Sequence, residues 1–192
     1  MTRLEALNTV LDAIGTYPVT SYESSHPDAV RAKQHLSRFN TEIQSRGWWF
    51  NQEVDLLLSV VDISNKILLP SNTLTVNPVD QRQAYVRRGN YLYDTVNHTF
   101  EFGGPVAVNL VSELEFVDLP ISVQNYVARS AALEFAIVRE GDQQKISKLE
   151  TAMYTARSQA FSDELKNGNY NVFNSGAPAR VIAGFRPAVR GL

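Results

Sequence analysis

The apolar residues of this chain change their repeat twice, and those two changes limit its possible folds more than any other feature. From residue 4 to residue 47 they recur every three or four positions. From 54 to 111 they come in short runs separated by Gly, Pro, Asn and Asp, and from 119 to 168 the three-and-four spacing returns. A helix buries one face at that spacing, whereas strands appear as short runs bounded by turn formers. The chain therefore reads as α+β, a four-helix body with two N-terminal and two C-terminal helices and a small antiparallel β-sheet inserted between them. The helical body takes residues 1–50 and 115–168, the β insert 51–114, and an extended C-terminal arm 169–192.

Local signals mark the individual elements. Leu4, Leu7, Leu11 and Ile14 form one helical face that stops at Gly15. Pro27 suits a helix's first turn, Asp28 favours the positive end of its dipole, and Ala29, Ala32, Leu36, Phe39 and Ile43 continue to Gly47. The third helix resumes after Leu119-Pro120 with Asp118 as its expected N-cap, and Val123, Tyr126, Val127, Ala131 and Val138 as its stripe. Gly141 closes it. Asp142 opens the fourth, along which Ile146, Leu149, Met153, Ala156 and Ala160 keep the spacing. Strands are expected at Val54–Val61, Lys66–Leu69, Leu74–Val76, Ala84–Arg88, Tyr91–Asp94, Thr99–Phe102 and Val106–Val111, with Gly103-Gly104-Pro105 as a turn. The sharpest hairpin signal is Tyr85 to Tyr93, where Gly89-Asn90 suits a tight turn with a positive φ at its first position.

The terminal stretch carries Arg180, Phe185, Arg186 and Arg190, five glycines and prolines, and no acid from Asn169 on. It has no helical period and too few apolar residues for a core, so it reads as an arm that orders on a partner.

The chain's 192 residues include no cysteine, which excludes thiol catalysis, disulfides and thiolate metal sites. The net charge of −2 argues against a broad nucleic-acid-binding surface. No apolar run is long enough to span a bilayer and the N-terminus shows no signal-peptide h-region, so stable membrane insertion is not expected. His26, His35 and His98 lack metal-type neighbours at helical spacing, and no phosphate-binding or nucleophile motif is present. No catalytic residue, metal ligand or cofactor is assigned. Carboxylates set close together, namely Glu53 with Asp55, Glu113 with Glu115, and Glu115 with Asp118, leave a glycosidase-like carbohydrate-cleaving component as the alternative function, with Trp48 and Trp49 as a sugar platform. Chance spacing on solvated faces accounts for such pairs more simply. Arg87 and Arg88 beside Tyr85, Tyr91 and Tyr93 fit phosphate contact and base stacking, or simply an exposed hairpin; the second reading is preferred.

The junction Gln44-Ser45-Arg46-Gly47-Trp48-Trp49-Phe50-Asn51 holds the most information. Gly47 permits a left-handed helix end, and three aromatics follow where they are expected to lock the insert to the helical body. This stretch, the hairpin Val86 to Asp94 with Arg87, Arg88, Gly89 and Asn90, and the opening Leu11-Asp12-Ala13-Ile14-Gly15 with Pro18-Val19 resemble the tail tubular protein A family, the adaptors of T7-like short-tailed phages (podoviruses). The resemblance covers residues 4–170 in layout and leaves the C-terminal arm unmatched. It implies a non-enzymatic virion component made in the host cytoplasm: a homododecameric ring below the portal protein, supporting the tubular nozzle protein. It also implies tail fibres around the junction and double-stranded DNA passing through the channel during ejection. Under it, Gln44 to Asn51 become the seam between the two parts, and Arg87 to Asn90 a hairpin facing nozzle or channel. Arg180, Phe185, Arg186 and Arg190 become a partner-binding arm.

Overall fold

The computed structural model describes residues 1–60, 64–139 and 142–168. Its elements run α1 (Arg3–Asp12), α2 (Pro27–Ser45), β1 (Gln52–Leu58), β2 (Thr73–Pro78), β3 (Tyr85–Arg88), β4 (Tyr91–Asp94), β5 (Val106–Ser112), a 3-10 turn (Phe116–Asp118), α3 (Ile121–Arg139) and α4 (Gln143–Asn167). The chain is thus α+β, with four helices and five strands in two antiparallel sheets.

Thr2 caps α1 through a reciprocal box: its hydroxyl accepts from the Glu5 amide, and the Glu5 carboxylate accepts from the Thr2 amide at 2.7 Å. At α2 the imidazole of His26 accepts from the Asp28 amide, with Pro27 in the first turn. Asp142 caps α4 by accepting from the amides of Gln144 and Lys145. The N-cap expected at Asp118 is corrected: Asp118 closes the 3-10 turn, and α3 starts at Ile121 with the amides of Val123 and Gln124 bonded to the Pro120 carbonyl.

Helix α3 is the centre of the helical body. It packs against α1, α2 and α4, while α1 and α2 also pack on each other. Val123, Val127, Ala128, Ala131, Ala132 and Ala136 are fully buried, and their small size lets three helices approach one. The expected stripe is wrong at one position. Val138 is exposed, and Phe135, four residues beyond Ala131, takes the inward place.

β5 is the middle strand of a sheet ordered β1-β5-β2, and β3 with β4 forms a separate ribbon. The register of β1 on β5 slips between Glu53 and Leu56, where Asp55 takes a left-handed φ of 59° and its amide donates to the Asn109 side chain at 3.0 Å. Two expected strands, Lys66–Leu69 and Thr99–Phe102, are corrected to isolated bridges: Lys66 with Glu101, Leu68 with Tyr91, and Thr99 with Asp94. Their side chains still build the sheet's core, since Ile67 and Phe102 are buried there with Leu58, Val76, Tyr85, Leu92, Val108 and Leu110. A second, larger cluster gathers the helices and includes Trp48 and Phe116. Val61 and Gly141, expected ends of a strand and of a helix, lie outside the described residues.

Candidate functional site

The junction after α2 is built mostly from buried amides. Gln44 is fully buried, and both ends of its side chain serve one distant residue: Nε2 donates to the Leu114 carbonyl at 2.9 Å and Oε1 accepts from the Leu114 amide at 2.8 Å. Asn51 does similar work one turn later. Its Nδ2 donates to the carbonyls of Gln44 and Ser112, at 3.1 and 2.9 Å, and its Oδ1 accepts from the Trp48 amide at 2.7 Å. The Ser112 amide in turn donates to the Asn51 carbonyl at 2.9 Å. The chain leaving the helical body and the chain returning to it are therefore bonded to each other, and these buried polar groups are satisfied.

Gly47 makes this geometry possible. It sits just past the helix end at φ 77°, with its amide bonded to the Gln44 carbonyl at 3.0 Å. A Cβ there would meet the Gln52 amide nitrogen at 2.6 Å and a Val111 methyl at 3.1 Å. The left-handed conformation is what calls for glycine, since the exposed Gln52 side chain can swing away and the Val111 methyl need yield only slightly.

The aromatics work differently from the sequence expectation. Trp48, nearly fully buried, donates its indole N–H to the Ile43 carbonyl at 2.6 Å and meets the Phe161 ring of α4 edge-on, centroids 5.2 Å apart. Trp49 and Phe50 pack on the same helical cluster, and the Trp49 amide donates to the Glu164 carboxylate at 3.1 Å. The Trp48 ring and the Trp49 amide hold α2's end to α4, with Phe50 packed on both tryptophans, whereas the strands are held at this point by the amides of Gln44 and Asn51. Ser45 donates its hydroxyl back to the Glu42 carbonyl, and the Arg46 guanidinium lies over the Phe161 ring at 4.1 Å. Phe161 and Glu164 were missed in the sequence. A signal existed for Glu164, which continues the buried Ala156, Ala160 row at i+4 as an acid on an otherwise apolar face.

The hairpin closes as its residues require. Arg88 pairs with Tyr91 across a two-residue turn, and Gly89 takes φ 62° while Asn90 stays outside the positive-φ region. Its two arginines have different fates. The Arg87 guanidinium donates to the Gly89 carbonyl at 2.9 Å and to the Thr73 carbonyl of β2, fastening the ribbon to the larger sheet. Arg88 is exposed and rests on the Tyr93 ring at 3.6 Å. The Asn90 carbonyl accepts from the Leu69 amide. Arg180, Phe185, Arg186 and Arg190 lie outside the described residues.

Two of the carboxylates singled out for hydrolysis, Glu113 and Glu115, have structural partners. Glu113 accepts from Asn40 and Thr41, Glu115 pairs with Arg3, and Asp55 lies at the β1 bulge. His26 is a cap. His35 lies against the Phe135 ring at 5.2 Å with its buried Nδ1 unbonded among the described residues, and burial, helped by the nearby Arg38, lowers its pKa below the usual 6.5. Among the described residues no group of three or more His, Asp or Glu side chains is placed to hold a metal, and no helix is long and apolar enough to cross a membrane.

Comparison with known proteins gives two matches. A family model described as Tail tubular protein matches residues 4–170. Tail tubular protein A of Klebsiella phage KP34 is 26% identical over 171 residues, covering 89% of this chain and 91% of that protein.

Proposed function

Because the chain belongs to the tail tubular protein family and so is a structural component of a phage tail, we propose that it is the adaptor ring of a short-tailed virion. In this reading twelve copies join the portal protein to the tubular nozzle protein, tail fibres gather at the junction, and the double-stranded genome passes through during ejection. The protein acts without catalysis, in the virion tail, after synthesis in the host cytoplasm. The observation that carries the reading is the family match over residues 4–170, which takes in all four helices and both sheets.

Under the same proposal the helical part, residues 1–50 and 115–168, packs side by side around the ring, and the β insert, 51–114, meets the nozzle. Gln44 to Asn51 transmit force between the two. Arg87, Arg88, Gly89 and Asn90 of the hairpin face the nozzle or the channel, with Arg87 also bonded to the Gly89 and Thr73 carbonyls. A channel wall should hold DNA weakly, since strong phosphate contacts would slow transit, and the net charge of −2 suits that. The arm at 169–192, through Arg180, Phe185, Arg186 and Arg190, engages a neighbouring copy or the portal. Negative-stain microscopy of the purified protein, alone and mixed with the portal of the same virion, tests the reading. Twelve-fold rings seated on portals are the expected image; a protein that never forms rings in either condition refutes it.

A further inference from the structure

Two guanidiniums converge on one aromatic ring at the surface of α4. Arg46 lies over Phe161 at 4.1 Å and Arg157 over the same ring at 5.3 Å, with Trp48 also within 5.4 Å of Arg46. Both arginines are exposed, and neither makes an ion pair among the described residues. Tyr154, more than half exposed, and Ser158 complete a shallow depression with Arg157 and Phe161. Two like charges gathered over one ring, neither of them ion-paired among the described residues, favour an anion brought by a partner.

The opposite chemistry lies on another helix. Along α1, Glu5, Thr9 and Asp12 line a shallow groove with Thr16 and Pro18, and Tyr17 beside it is 90% exposed. Asp12, the last residue of α1, is exposed and makes no ion pair among the described residues. α1 packs on α2 and α3, whereas α4 packs chiefly on α3, so the two patches lie on different helices, although Lys145 at the start of α4 comes close to Gly15 after α1. A closed ring needs such a pair, because a head-to-tail contact joins two different patches of the same chain.

We infer that the Arg46–Arg157 patch of one subunit receives the Asp12 groove of the next, a second copy of this chain. The inference rests on the ring reading above and names the surfaces that close the ring. DNA is the less suitable occupant, because Glu42 lies one helical turn before Arg46 and Glu150 and Asp163 flank Arg157 on α4, interrupting any run of positive charge that could follow a phosphate backbone.

The test is a reciprocal charge exchange scored by ring yield in negative stain and by mass in solution, with the portal present wherever the wild type needs it. Arg157→Glu lies on an exposed helix face and Asp12→Arg puts a cation at a helix C-terminus, so both variants should fold, which far-ultraviolet circular dichroism checks. Each alone should lower ring yield by about tenfold or more, and rings should weaken with added salt. The double variant Asp12→Arg/Arg157→Glu should recover to within about threefold of wild type, as coupled charges do. An equimolar mixture of the two single variants should also form rings, with the variants alternating. Folded single variants that ring like wild type, or a double variant as defective as its worse parent, would overturn the contact while leaving the ring reading intact. Salt-sensitive binding of a short DNA duplex by the wild-type monomer, lost in Arg157→Glu, would reassign the patch to nucleic acid. Absence of rings from the wild type would overturn both proposals.

Discussion

At the residue scale, stability concentrates where a side chain has no substitute. Gly47 takes a left-handed φ with a Val111 methyl close to where a Cβ would stand, so Gly47→Ala should cost about 1–3 kcal/mol, read as a shift of the urea midpoint at unchanged slope. Gln44→Leu keeps the volume but strands the Leu114 amide, while the Leu114 carbonyl keeps its Asn40 donor; a loss of about 1–3 kcal/mol is expected, and Gln44→Glu should recover only part of it. His35 gives a pH-dependent term whose sign is set by its depressed pKa. The folded state holds the ring neutral, so its contribution is complete above the unfolded value near 6.5 and is lost as pH falls through the lower folded value. The melting temperature of the wild type should therefore drop between pH 7 and pH 5 more than that of His35→Gln. Equal slopes for the two proteins would remove this role for His35.

At the element scale, the two arginines of the β3–β4 ribbon separate structure from surface. Arg87→Ala removes the donor to the Thr73 and Gly89 carbonyls and should cost about 1–3 kcal/mol, whereas Arg88→Ala should cost no more than about 1 kcal/mol. Chemical denaturation of the two variants side by side checks the contrast. That difference could not be read from the sequence, since it depends on β2 lying beside the ribbon, a contact between strands from separate parts of the insert. Local signals were legible: Pro27, Asp142 and the glycines 15, 47 and 89 sit where helix starts, helix ends and the hairpin turn require them. Signals that depend on packing were not. Lys66–Leu69 has a strand's composition but gains only a bridge or two, and Asp118 has a cap's chemistry but falls within a 3-10 turn that ends before Pro120. Of the junction, the sequence showed its location and its glycine. It did not show that amides join the strands, or that the rings turn toward Phe161 of a helix more than a hundred residues away.

At the scale of the whole molecule, the described residues up to 168 form two hydrophobic clusters of their own, one among the helices and one in the sheet. Deleting residues 170–192 should leave the melting temperature unchanged to within about 2 °C and reduce ring formation or portal docking. Truncated protein that assembles into virions normally would end the proposed role of the arm. The paired crossings at the junction have a consequence for how such a chain can be altered. Gln52 and Val111 face each other across β1 and β5, which places the two ends of the intervening segment about 5 Å apart. A segment whose ends meet so closely is a cassette. Exchanging it for another sheet, or for a turn of a few residues, would keep the path of the chain and remove the contacts of β2 and β5 with α2. In the proposed ring such an exchange would alter the sheet that the subunit presents while keeping the Gln44–Asn51 clasp.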